Sequence, residues 1–397
     1  MRIAFFTRCL PAHGLGGMEI HAEQVARGLA ARGHEVVVYT TRLDDGPRVV
    51  ADASGDNPKI HFLAGTRPRS YIGGYWAVSR AAFLRDHAAR AFDVAFSESS
   101  GANGLLRDAS PIVPVTVFLV GTAGAELVSK IRKKAFRPRT ILGIGWNLIS
   151  HLQSRRYLPR AARILCESEG LRTWAMREMP FEASRVSVAW LGVDTSRFTP
   201  EGPVLPEIRD RAGARTCIIF GGRFEKEKGF DVAIRAVAPI LTRYSDVCAF
   251  LVGAGREKTS LTALARPLTA TGRFHILTPI PHERLAEMYR GAAVYLMPTI
   301  RKEGSALSLV EAMACGCAVV ASRVGGLPSL LRDEVDAILV PPGDVEALSR
   351  AIARLLDDPD LRVRLAVEAA ATARARFSLD SMIDQIEETL HVAAREH

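Results

Sequence analysis

The sequence predicts an α/β protein built from two doubly wound domains facing a cleft. Three observations carry that expectation. At 397 residues the chain is long enough for two domains that each bury a full core. Short apolar runs of strand length alternate with helix-length segments in both halves, the pattern of parallel sheets covered on both faces. Between the halves lies a stretch rich in Pro, Gly and charge, "RFTPEGPVLPEIRDRAGAR", which reads as a linker.

The first forty residues form a βαβ pattern. "RIAFFT" is a buried strand and "PAHGLGG" a glycine-rich loop; Met18, Ala22, Val25, Ala26 and Leu29 then recur at helical spacing until Gly33 stops the helix. "HEVVVYTT", "VAFSES" and "VPVTVFLVG" supply further strands. After the linker come six more apolar runs, "TCIIFGG", "CAFLVG", "RFHIL", "AVYLMP", "CAVVAS" and "DAILV". In such sheets a ligand is expected at the carboxyl ends of the strands, in the cleft between the domains.

Composition excludes several classes. A content of 48% hydrophobic and 24% charged residues is that of a globular protein, and no run of 18 apolar residues exists to span a membrane. The N-terminal apolar run is too short for a signal peptide, so the expected location is cytoplasmic. Six scattered cysteines beside apolar neighbours read as reduced, packed thiols, and Cys315-Gly-Cys317 as small side chains at a helix-to-strand turn. The formal charge of +9 is local: residues 101–163 alone hold 11 basic and 2 acidic side chains. No nucleic-acid recognition module accompanies this patch.

Three glycine-rich stretches follow strands. "HGLGGME" fails as a dinucleotide fingerprint, because Glu19 stands where the third glycine belongs and no acid closes the second strand. Gly16 and Gly17 nevertheless let backbone approach an anion at a helix N-terminus. "GGRFEKEKGFD", residues 221–231, is a loop at a strand's end whose Arg223 and Lys228 are able to neutralise a diphosphate without a metal. "EGSALSLVE" places Glu303 in a loop and Glu311 on the crossover helix that Gly316 ends. The lone D-x-D, Asp358-Pro359-Asp360, reads as a turn or cap, so no metal site is expected.

Taken in order, "GGME", "GGRFEKEKGFD", "LGVDTSRFTP" and "EGSALSLVEAMACGCAVVASRVGGLPSLL" resemble the retaining, nucleotide-sugar-dependent glycosyltransferases of family 4 (group 1), which have the GT-B fold of two Rossmann-like domains. The resemblance runs nearly end to end. It implies an N-terminal acceptor-side domain, 1–193, joined by a C-terminal helix, 380–397, that crosses back, and a nucleotide-sugar-binding domain, 194–379. It implies that Glu311 binds the ribose hydroxyls, that Glu303 and Gly304 lie by the transferred sugar, and that Arg223 and Lys228 hold the diphosphate. Gly16 and Gly17 would cover it. Glu303, Arg223 and Lys228 are then the catalytic candidates, with a UDP- or GDP-sugar as donor substrate and no further cofactor. Two positions depart from the pattern: Val120 stands where many members carry His, and Leu191 where Asn is usual.

The implied reaction is sugar transfer to a cell-envelope glycan or lipid-linked acceptor, as in lipopolysaccharide or exopolysaccharide biosynthesis. The alternatives are a small soluble acceptor and a catalytically silent GT-B scaffold. A paired-carboxylate hydrolase is disfavoured, because such enzymes flank one bond with both carboxyls. Segment 130–163 mixes Lys and Arg with Trp146, Leu148, Ile149, Leu152, Tyr157 and Leu158, a composition suited to an anionic membrane surface. That pattern predicts peripheral docking at the inner face of the plasma membrane.

Overall fold

The structure, a computed structural model, describes residues 1–14, 16–44, 57–71, 74–120, 152–179, 181–301 and 306–396. The chain divides into two compact units, Met1–Leu191 with Leu379–His397, and Gly192–Ser378.

Unit 1 holds seven parallel strands, β1 (Arg2–Phe6), β2 (Glu35–Thr41), β3 (Lys59–Leu63), β4 (Val94–Glu98), β5 (Val115–Leu119), β6 (Arg163–Cys166) and β7 (Val186–Val188), in the order β3-β2-β1-β4-β5-β6-β7. The chain winds outward in both directions from the β1/β4 pair, which makes that pair the topological switch point. Alternate strand residues feed two cores. Ile3, Phe5, Val36, Val38 and Phe96 pack with the first helix, Gly17–Ala31, while Ala4, Phe6, Val37, Tyr39 and Ala95 pack on the opposite face beside Tyr75 and Phe83.

The first helix ends in a Schellman motif. Gly33, at φ +84°, donates to Ala30 O and His34 donates to Leu29 O, which satisfies two terminal carbonyls. The last helix, Leu379–Arg395, lies against the first one, with Met382, Ile383, Ile386 and Leu390 in the same core. Gly28 permits the approach, since a Cβ there would come within 2.6 Å of Ile383 Cδ1. Arg32 and His34 then bind Glu387 at 2.7 and 2.8 Å.

Unit 2 holds six parallel strands, β8 (Thr216–Arg223), β9 (Val247–Ala254), β10 (Phe274–Leu277), β11 (Val294–Met297), β12 (Ala318–Ser322) and β13 (Ile338–Val340), in the order β10-β9-β8-β11-β12-β13. Its switch point is the β8/β11 pair. Asp358 accepts from Leu361 N at 2.9 Å and Pro359 opens the helix Pro359–Arg376, so this acid works as an N-cap. Gly316, at φ +76°, makes the tight turn between Cys315 and Cys317.

One expectation needs correction. Gly221 and Gly222 are not loop residues: β8 continues through Arg223, pairing Gly221 with Val252 and Gly222 with Gly253. A Cβ on Gly221 would collide with the Val252 carbonyl, so this glycine serves close strand approach, whereas Gly222 is held at φ +141°. In the basic segment, 130–151 lies outside the described residues, and beyond it Leu158 is 4% exposed in the core with Tyr157 packed beside it. Leu152 alone among the apolar residues named there and described is strongly exposed, at 58%. Among the described residues no helix is long and apolar enough to cross a membrane.

Candidate functional site

The carboxyl ends of β8 and β11 carry the sequence-predicted residues of unit 2. Arg223 closes β8 and is exposed; Lys228 ends the short 3-10 turn Lys226–Lys228 that follows. Gly229, at φ +69°, then starts the helix Phe230–Arg243. This glycine is obligatory twice over: the left-handed backbone disfavours any side chain, and a Cβ would collide with the Pro298 carbonyl at the end of β11.

That close approach ties two loops together. Glu227 O accepts from Thr299 Oγ1 at 3.1 Å and from Ile300 N at 3.0 Å, and the Glu227 carboxylate pairs with Arg301 at 3.2 Å. The loop bearing Arg223 and Lys228 is thereby fixed to the one leading into residues 302–305. Glu303 and Gly304 fall in that stretch, outside the described residues.

Glu311 sits on the next helix, Leu307–Ala314, and is only 2% exposed. Its carboxylate is held by two donors, His282 Nε2 on Oε1 at 3.0 Å and the Tyr289 hydroxyl on Oε2 at 3.1 Å. Burial, with the Glu311 charge adding to it, drives the Tyr289 phenol well above its ordinary range, so the hydroxyl remains a donor. Arg197 Nη2 lies 2.8 Å from His282 Nδ1. A guanidinium only donates, and of the two ring nitrogens Nδ1 is the nearer, Nε2 lying 3.4 Å from the same Nη2, so Nδ1 is assigned as the acceptor and Nε2–H faces Glu311. Arg197, His282 and Glu311 thus form a directional chain. Two of about four carboxylate acceptor sites are used and about two stay available, the number a cis-diol needs.

In unit 1, Gly16 is the N-cap of the first helix and makes no side-chain cap; Gly17 is exposed, and a Cβ there would meet nothing within 4 Å. Packing therefore does not require glycine at 17. The N-terminal N–H groups of that helix point along a positive dipole end. At the nearby β1/β4 switch point lies a polar cluster. Glu98, 1% exposed, accepts from Thr7 Oγ1 at 2.6 Å and lies 2.7 Å from His21 Nδ1. His21 Nε2 is buried without a partner among the described residues. Val120, in the position of the missing histidine, packs against the apolar core on that face.

Residues 205–372 match the model of the family Glycosyl transferases group 1, and residues 15–197 match that of Glycosyltransferase Family 4. A D-inositol 3-phosphate glycosyltransferase of Salinispora tropica is 30% identical, over 96% of this chain and 82% of its own length. The chain belongs to the group 1 glycosyltransferases. This glycosyltransferase is also similar to the alpha-D-kanosaminyltransferase of Streptomyces kanamyceticus, at 28% identity over 66% of the chain and 69% of that relative.

Solved structures agree on the architecture. The glycosyltransferase matches sucrose-phosphate synthase from Thermosynechococcus elongatus with a TM-score of 0.78 at 20% identity, covering 100% of each chain. It matches Anabaena HepE in complex with UDP and glucose with a TM-score of 0.72 at 20% identity, covering 98% and 99%. Both likenesses support the GT-B fold. Reading the sequence of the glycosyltransferase missed Arg197, His282, Tyr289, His21 and Glu98, none of which shares a local spacing with its partner. "PHERLAEMY", seven residues from His282 to Tyr289, would have shown only two polar side chains near one helical face.

Proposed function

We propose that the enzyme transfers a sugar from a nucleoside diphosphate-sugar to an acceptor hydroxyl, with retention at the anomeric carbon. The observation that carries this reading is the Glu311 carboxylate, fixed from behind by His282 and Tyr289 at 3.0 and 3.1 Å and left with acceptor capacity for a ribose diol. Arg223 and Lys228 take the diphosphate, and Glu303 and Gly304 lie by the sugar. When the bond between the anomeric carbon and the diphosphate breaks, negative charge gathers on the leaving oxygens. Preorganised cations stabilise that charge more than they stabilise the ground state, which lowers the barrier. Gly16 and Gly17 offer N–H groups at a helix N-terminus to an anionic group.

For the acceptor, the names of the relatives favour a small polar molecule bearing hydroxyls, such as an inositol phosphate. A cell-envelope or lipid-linked acceptor is the second reading, favoured by the basic surplus of residues 101–163. Thermal-shift screening against UDP-, GDP- and ADP-sugars, followed by product analysis with inositol phosphate as acceptor, tests the first reading. A panel in which no nucleotide raises the Tm refutes it. Flotation with anionic and neutral vesicles at low salt tests the second, and equal recovery with both vesicle types counts against it.

A further inference from the structure

Cys217 and Cys248 stand opposite one another on β8 and β9, in direct register, with their sulfurs 3.3 Å apart. Both are free thiols, 5% and 0% exposed. Registered residues on neighbouring strands have Cα atoms about 4.8 Å apart and side chains on the same face. That separation falls inside the roughly 4.4–6.8 Å a disulfide bridges, so side-chain rotation alone is needed to bring the sulfurs to about 2.05 Å.

The surroundings treat the two thiols unequally. The hydrogen bond from Cys217 pulls the Cys248 thiol below its ordinary value against the effect of burial, and Arg215 and Arg273 add to the pull. No other pair of sulfurs among the described residues is hydrogen-bonded. The pair lies at the amino ends of both strands, whereas Arg223 ends β8 at the other side of the sheet. A bond there joins two neighbouring strands of unit 2, at the end of the sheet opposite Arg223.

We propose that Cys217 and Cys248 are a modification site, a dithiol that hydrogen peroxide converts into a reversible cross-strand disulfide. The Cys248 thiolate attacks one peroxide oxygen, the O–O bond breaks, and the departing hydroxide leaves as water after taking a proton, giving a sulfenic acid. Cys217 sulfur then attacks the sulfenic sulfur; the S–O bond breaks and a second water departs with the Cys217 proton. The two thiols lose two electrons and two protons in all, which the peroxide carries away as water.

The test uses the full chain, reduced, freed of reductant and exposed to hydrogen peroxide at neutral pH, then denatured and alkylated. The expected product has lost about 2 Da and two of its six free thiols, yields a linked peptide containing Cys217 and Cys248, and reverts with dithiothreitol. Cys217→Ser and Cys248→Ser should each abolish that linked peptide. The proposal is overturned if all six thiols remain titratable while methionine sulfoxides accumulate, or if the linked peptide joins a different pair. Because neither variant touches the nucleotide site, this outcome is independent of whether the donor assignment holds.

Discussion

Replacing Glu311 by alanine removes the acceptor on which the proposed nucleotide site turns, and its cost separates into two measurable parts. On the ligand side, each hydrogen bond from a ribose hydroxyl to an ionised carboxylate contributes about 1.5–3 kcal/mol. Losing two such bonds costs about 3–6 kcal/mol, and with each 1.4 kcal/mol worth tenfold the affinity for a nucleotide falls at least about 100-fold. On the protein side, the Tyr289 hydroxyl and His282 Nε2–H lose their acceptor. Leaving two donors buried and unpaired costs about 1–3 kcal/mol each, a large share of a typical stability of about 5–15 kcal/mol. Glu311→Gln is therefore the companion variant, since it keeps the volume and one acceptor oxygen but turns an amide N–H₂ toward a donor.

Isothermal titration with UDP and GDP, on protein checked by its melting transition, reads the ligand part. Either variant binding within twofold of the unsubstituted enzyme while folded would refute the ribose assignment. A wild-type protein that binds no nucleotide would point instead at the donor class itself.

Three further outcomes follow from the geometry. Arg223→Ala and Lys228→Ala should each weaken a nucleoside diphosphate about 10-fold or more while leaving the bare nucleoside unchanged, because only the phosphate contacts are lost; equal losses for both ligands in titrations would contradict the placement. Gly229→Ala should lower the stability of unit 2 by at least about 1–3 kcal/mol, read as a shifted urea midpoint, since a Cβ meets the Pro298 carbonyl in a left-handed backbone. Arg32, with His34 second, holds the Glu387 carboxyl below its ordinary value of 4.5. Its folded value being depressed, its stabilisation is complete above about pH 4.5 and lost as the pH falls through the folded value. Amide protection of Leu379–Arg395 should thus fall in acid, and Arg32→Ala should flatten that dependence; parallel curves would exclude the link.

The parts of the fold written in continuous apolar runs were readable, and those written in short or edge segments were not. All six strands of unit 2 were visible because each is a continuous apolar run, fully buried in β12 ("CAVVAS") and only partly buried in the edge strand β10. In unit 1 the strands β3, β6 and β7 escaped: "KIHFL" is half exposed at a sheet edge, "RILC" is four residues long and opens on Arg163, the last residue of the basic segment, and "VSV" is three residues long. Glycine misled at 221 and 222, where it signals a turn by propensity but here lies within β8, with Gly221 letting that strand close on β9. Glu311 was placed on its helix correctly from the crossover pattern. Its partners were not legible, because His282 lies 29 residues away, Tyr289 lies 22, and Arg197 reaches His282 across 85. Such polar chains are set by tertiary contact, which no local period encodes.

The helix Leu379–Arg395 belongs to the core of unit 1, although the whole of unit 2 separates it from the rest of that unit in the chain. During synthesis, then, the first 191 residues leave the ribosome without the helix that covers Ala22, Val25 and Leu29. Unit 2 is contiguous and is able to fold as soon as it emerges, while unit 1 waits for a segment made after unit 2. A ribosome that stops after Ser378 would leave an intact second unit and a first unit with an uncovered apolar strip. A nascent chain that has passed Ser378 but not yet Arg395 is therefore exposed to aggregation through that strip.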